Sequence, residues 1–245
     1  MKLRLRTGVA ATSVFIAAAL ALSGCTSSDS GTKEKESGTE TSSDAAQLIE
    51  DAAEAMSGVT GLHLKLTTEG KVPNLAVKQL EGDVSSDPQT TATGNATLIV
   101  GQKDVEAKFV YVEGHLYSDV GDPGGKFTDF GDGASIYDVS TILDPSKGLA
   151  NVLTNLKDPK IEGTEDIDGT ETTKVTGTSS TDDIALLAGA RLAPKEEESM
   201  PTTVWIADDG TNHPVRVQII PAEDAMVTLN LSEWGKQVEA TKPPM

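Results

Sequence analysis

Residues 61–67 read Gly-Leu-His-Leu-Lys-Leu-Thr, so that Leu62, Leu64 and Leu66 alternate with His63, Lys65 and Thr67. Successive side chains of a strand point to opposite faces, so this stretch predicts a β-strand with one apolar and one wet side. Carried forward, the same reading predicts strands over Ala76 to Val84, Thr91 to Val100, Val105 to Val112 and Leu116 to Val120. In the second of these Ala96, Leu98 and Val100 share a face. The turns Gly101-Gln102-Lys103-Asp104 and Glu113-Gly114 make the chain meander in antiparallel fashion. Gly121 to Gly133, rich in Gly, Asp and Pro, reads as a loop. A helical section broken by Pro145 follows, with Leu149, Val152, Leu153 and Leu156 as its stripe. Lys160 to Asp166 and Thr172 to Gly177 form a hairpin about Asp168-Gly169, a favoured turn pair. Ser180 or Thr181 caps a short helix over Asp182 to Ala190, and strands near Thr202 to Ala207, Val215 to Ile220 and Ala225 to Glu233 finish the chain.

Upstream of Leu62 the period is helical. Asp44 is placed as an N-cap with Gln47 as its capping-box partner, and Leu48, Ile49, Ala52, Met56 and Val59 follow. Gly58 or Gly61 ends this helix. Strands in runs and helices in a few separate places give an α+β pattern, with helices over one face of a large curved antiparallel sheet.

Further upstream, residues Thr26 to Ser43 carry no large apolar side chain and read as a flexible tether, reaching roughly 20–25 Å as a random coil. Lys2, Arg4 and Arg6 precede an apolar run from Gly8 to Leu22. At roughly 15 residues it is too short to span a membrane stably, and it has the form of a secretory signal peptide. Its exit, Leu22-Ser23-Gly24-Cys25, resembles a bacterial lipobox. That resemblance implies cleavage before Cys25, a diacylglycerol on its thiol and a third acyl chain on its amine. Two or more acyl chains hold a protein firmly to a bilayer. Cys25 is the sole cysteine, so no disulfide within the chain supports the fold. The expected organisation is a signal peptide over 1–24, a lipidated tether over 25–43 and one domain over 44–245.

The formal charge is -18, and loss of the leader would remove three cations more. Such acidity argues against nucleic acid, whose phosphates need Lys and Arg, and against flat adhesion to an anionic membrane surface. Its plainest meaning is solubility.

Catalytic constellations are missing from the sequence: there is no Gly-x-Ser-x-Gly elbow, His-Glu-x-x-His pair or phosphate loop. His63, His115 and His213 stand beside strands without metal-ligand spacing. Asp119, Asp122, Asp129, Asp132 and Asp138 cluster as calcium ligands can, but not at EF-hand spacing. The reading is a non-enzyme without metal or cofactor. Aromatic residues make up only 4% of the chain. A core with so few rings either packs closely with aliphatic side chains or leaves a void, and an apolar void suits acyl chains at ~0.8 kcal/mol per buried methylene. The segment Ile184-Ala185-Leu186-Leu187-Ala188 is apolar nearly all round. It reads either as core or as a lid on such a void, with Ile184 and Leu187 facing it.

Several stretches, in order, resemble the mycobacterial and actinobacterial envelope lipoproteins of the LppX, LprA, LprF and LprG family. They include Leu75 to Asp83, Ala92-Thr93-Gly94-Asn95, Ile136-Tyr137-Asp138, Gly148 to Leu153, Thr203-Val204-Trp205-Ile206, Leu231 to Gly235 and Thr241-Lys242-Pro243-Pro244. They lie nearest to those of LprG. The resemblance implies a half-barrel sheet with helices over its concave face around an apolar cavity. It implies binding of multiply acylated lipids and lipoglycans: triacylglycerol, phosphatidylinositol mannosides and lipoarabinomannan. It also implies a membrane efflux transporter as partner and a place on the outer, periplasmic face of the cell membrane, with cell wall or secreted forms besides. Ala96, next to the Gly94-Asn95 match, would then face the cavity. Strand and helix periodicity add Leu98, Val100, Leu149, Val152 and Leu153. The competing reading is a scaffold lipoprotein that docks an envelope transporter without carrying lipid; a degradative enzyme is a remote third.

Overall fold

The computed structural model describes residues 37–72, 75–188 and 199–245. Cys25, the leader and most of the tether lie outside these residues, as do the last two residues of the helix expected to end at Ala190. The chain begins with helix α1 (Ser37–Ser57) and continues through β1 (Gly61–Glu69), β2 (Val77–Ser85), β3 (Thr91–Val100), β4 (Lys103–Val112), β5 (His115–Ser118) and β6 (Thr128–Asp132). Two 3-10 turns and the short helix α2 (Leu149–Thr154) come next. Then follow β7 (Lys157–Ile167), β8 (Thr170–Ser180), helix α3 (Thr181–Ala188), β9 (Ser199–Ala207), β10 (Pro214–Ala222) and β11 (Ala225–Ser232).

The strands form one open, curved, 11-stranded antiparallel sheet in the order β6-β5-β4-β3-β2-β1-β11-β10-β9-β8-β7. Every hairpin neighbour in sequence is a neighbour in space, except at one place. The first strand and the last meet in the middle, with Leu64 opposite Leu231 and Leu66 opposite Leu229.

Two expectations need correction. The first helix begins at Ser37, ahead of Asp44, so part of the expected tether is helical. Extending a packed helix adds a hydrogen bond per residue, while starting one is costly, so polar residues join it readily. The expected loop Gly121 to Gly133 contains β6, which pairs His115 with Asp132 and Tyr117 with Asp129. An edge strand needs backbone pairing on one side only, so Thr-Asp-Phe-Gly-Asp shows no alternation to read.

Antiparallel partners place their side chains on the same face. Registers therefore chain into a row across nine strands: Ile161, Val175, Val204, Val217, Leu229, Leu66, Leu80, Ala96 and Ala107. Every member is apolar. The three helices lie over this face: α1 packs against α2 and β7, and α3 against α2 and β8. Ala45, Ile49, Ala52 and Met56 of α1 join the same core as Leu62, Leu64, Val175 and Val204. The opposite face is open and polar, with Lys65, Glu81, Asn95 and Lys108 in register.

Candidate functional site

The apolar row changes character along its length. Val175, Val204 and Val217 are at most 1% exposed, whereas Leu66, Leu80 and Ala96 are only half-buried. The covered part runs over β8, β9, β10 and β11, the half-covered part lies on β1, β2 and β3, and Ala107 on β4 is buried again. Leu98, on the same face as Ala96, is also half-buried.

Phe109 shapes this half-covered floor. It stands opposite Gly94, which stands opposite Gly82. A Cβ at Gly82 or Gly94 would come within 2.4 Å of a neighbouring backbone oxygen. The same atoms would stand 3.2 Å and 2.8 Å from the Phe109 ring. Two missing side chains thus make the bed on which one ring lies, a wide apolar surface in a chain with few rings.

The helical side is built by α2 and α3. Leu149, Val152 and Leu153 are each 1% exposed and belong to the shared core. Leu187 is buried there too, and Ile184 packs against it. Leu186, by contrast, is 46% exposed, so α3 is not buried all round as its composition suggested. Val100 also departs from expectation: at 56% exposed it ends β3 beside the Gly101 turn, where no strand covers it.

Both ends of α3 are fixed by polar contacts. The Ser180 Oγ accepts from the Asp183 N–H at 3.1 Å, as the expected cap. Asp183 in turn accepts from Asn151 Nδ2 at 2.9 Å and Asn155 Nδ2 at 2.8 Å, tying α3 to α2. At the other end the Tyr137 hydroxyl donates to the Leu187 carbonyl at 2.9 Å. Burial, and then the charge of Asp138, push the Tyr137 hydroxyl well above its ordinary range, so it stays a donor.

The acidic cluster organises loops. Asp119 accepts from the N–H of Lys108 and Gly124. Asp129 accepts from Gly131, and Asp132 and Asp138 cap the two 3-10 turns. Two of the three histidines gain carboxylate partners from neighbouring strands, which sequence spacing did not reveal: His63 meets Asp83 at 2.6 Å and His115 meets Asp129 at 3.1 Å, while His213 stacks on Trp234. Among the described residues no group of three or more His, Cys, Asp or Glu is arranged to hold a metal ion.

An open antiparallel sheet whose apolar face is roofed by short helices is the architecture of a known lipoprotein class. The sequence profile of the LppX_LprAFG lipoprotein family matches residues 44–240, and the chain belongs to that family. Lipoprotein LprA of Mycobacterium tuberculosis is 56% identical over 236 residues, covering 96% of each chain. The lipoarabinomannan carrier protein LprG of Mycolicibacterium smegmatis is 44% identical over 184 residues, 74% of this chain and 75% of its own length. Of these two relatives LprA, not LprG, is the more similar. The crystal structure of LprF from Mycobacterium bovis superposes with a TM-score of 0.75 at 28% identity, covering 84% of this chain and 99% of that one. That of LppX from Mycobacterium tuberculosis gives 0.62 at 26% identity, covering 80% and 98%.

Proposed function

We propose that this lipoprotein is a carrier, held by acyl chains on Cys25 at the periplasmic face of the cell membrane. It takes the acyl chains of multiply acylated lipids and lipoglycans into an apolar cavity between the sheet and its helices. The single observation behind this reading is the nine-strand apolar row, buried from Val175 to Leu229 and half-covered at Leu66, Leu80 and Ala96. Acyl chains need no hydrogen-bonding partners, and each methylene moved from water onto such a floor contributes about 0.8 kcal/mol. The relative named as a lipoarabinomannan carrier supports lipoarabinomannan as cargo, with phosphatidylinositol mannosides and triacylglycerol as its smaller acylated counterparts. The protein acts by binding, not catalysis, uses no cofactor and binds no nucleic acid. A membrane efflux transporter is its partner, and cell-wall or released forms accompany the anchored one.

Mass spectrometry of lipid extracted from a Cys25→Ala form, purified from a mycobacterial cell, tests this. Co-purified acylated lipid is the expected result; a lipid-free protein would overturn the carrier reading. Ala96→Trp should cut loading several-fold, and unchanged loading would move the site away from β3. A second reading, a scaffold that docks a transporter, draws on Ile99 and Val100, exposed together at the end of β3. It predicts the lipid-free result.

A further inference from the structure

The open face of the sheet, which the acyl reading leaves unused, carries a polar cleft of about 460 Å³. That is within the usual size of small-molecule sites. Two register rows line it. One holds Lys65, Glu81, Asn95 and Lys108; the next holds Gln79, Thr97 and Glu106. Asp119, Pro123 and Gly124 make its wall beyond β4, and Leu80, Ala96 and Ala107, between the two rows on their strands, also border it. That wall is built in: Asp119 is 2% exposed and grips the Lys108 N–H at 2.6 Å and the Gly124 N–H at 2.8 Å. A second cleft of about 380 Å³ continues from the first, sharing Glu81, Asn95 and Lys108, and carries Phe127 on its border.

The lining is chemically selective. The side chains of Gln79, Asn95, Thr97 and Glu106 make no hydrogen bond to another described residue. Two amides, a hydroxyl and a carboxylate therefore stand together with their bonding capacity free. An amide or carboxylate offers two adjacent polar atoms, which match adjacent hydroxyls on a sugar ring. Lys65 is spent on Glu81 at 3.3 Å, and the two lysines of the first cleft stand against the carboxylates of Glu81, Glu106 and Asp119, so the cleft carries a single formal negative charge in a chain of charge -18. Such a charge gives no attraction for phosphate or sulfate. Phe127, half-buried at the far end, offers a ring face for the C–H side of a sugar.

We infer that this cleft binds an uncharged glycan chain, laid along the open face across β2, β3 and β4. The cleft shares the strands of the acyl floor, but the side chains of Gln79 and Asn95 leave those strands on the face opposite the apolar row, because adjacent residues of a strand point to opposite faces. A lipoglycan's own sugar chain and a free envelope polysaccharide share this chemistry, so both belong in the test. The mature protein is titrated with deacylated lipoarabinomannan and with a neutral, phosphate-free mannan, and with a sulfated polysaccharide as the charged comparison. Saturable binding of an uncharged glycan is expected, weakened about tenfold or more in a Gln79→Ala/Asn95→Ala double variant as two hydrogen-bonding groups are lost. Both residues are exposed, so the variant's unfolding midpoint should match the parent's. Acyl-lipid loading should also be unchanged in it, which separates this inference from the carrier reading. Binding of the acylated form alone would reassign recognition to the acyl floor and overturn the inference. Equal affinity in the double variant, preference for the sulfated polymer, or no binding of the neutral mannan would overturn it as well.

Discussion

Asp119 looks in sequence like one of several acids in a Gly-rich stretch, and only the fold shows what it holds. Burial opposes its charge, but the N–H groups of Lys108 and Gly124 outweigh that and keep its carboxyl below the usual range. A carboxyl whose folded pKa is depressed stabilises the protein fully above its unfolded value, near 4, and loses that contribution as the pH falls through the lower folded value. Asp119→Asn is therefore expected to cost about 1–3 kcal/mol at pH 7, with the gap from the parent closing as the solution is made acid. Urea denaturation of both proteins at pH 7 and at pH 3 measures this. A gap that is the same at both would mean that the charge on Asp119 contributes nothing. Nothing in the local sequence announces the Lys108 partner, because it comes from a different strand.

At the scale of one element, α3 is the instructive case. Its five consecutive apolar residues predicted a helix without a solvent side. In the structure the Asp183 contacts to α2 and the Tyr137 contact to Leu187 fix its rotation, leaving Leu187 buried and Leu186 outside. Leu187→Ala should lower stability by about 2–4 kcal/mol, the loss of a buried leucine plus the cavity it leaves. Leu186→Ser should stay within about 0.5 kcal/mol of the parent, as exposed substitutions do. Equilibrium unfolding of the pair checks the rotation; equal losses would show that α3 packs another way. The expected cap at Ser180 was legible, because capping is a local hydrogen bond, whereas helix rotation depends on partners from α2 and the segment before it.

Across the whole molecule the decisive contact is β1 with β11, which joins the ends of the described chain through seven residue pairs. Two meanders thereby become one sheet, and the apolar row becomes continuous from Ile161 to Ala107. A floor this wide is left half-covered at Leu66, Leu80 and Ala96, so bound acyl chains would add the missing burial. Any ligand that binds only the folded state raises stability with its concentration. Delipidated protein should therefore unfold at a lower temperature than protein as isolated from its cell, by several degrees, and adding back an acylated lipid should restore the difference. Scanning calorimetry of the three samples measures it. Identical midpoints would count against an acyl site on this face.

The sequence by itself determined the strands, their apolar sides, most of their turns, the cap of α3 and the family, since alternation, turn chemistry and capping are encoded within a few residues. It also marked Leu149, Val152, Leu153 and Leu187 as inward-facing. Only the tertiary structure decided that the first strand pairs with the last, that Thr128 to Asp132 makes an edge strand, that Val100 and Leu186 face solvent, and that a polar cleft occupies the open face. The physical reason is the same in each case. A side chain's face follows from its own strand or helix, but what lies against that face is set by residues far away in the chain, paired through backbone hydrogen bonds that any residue except proline can make.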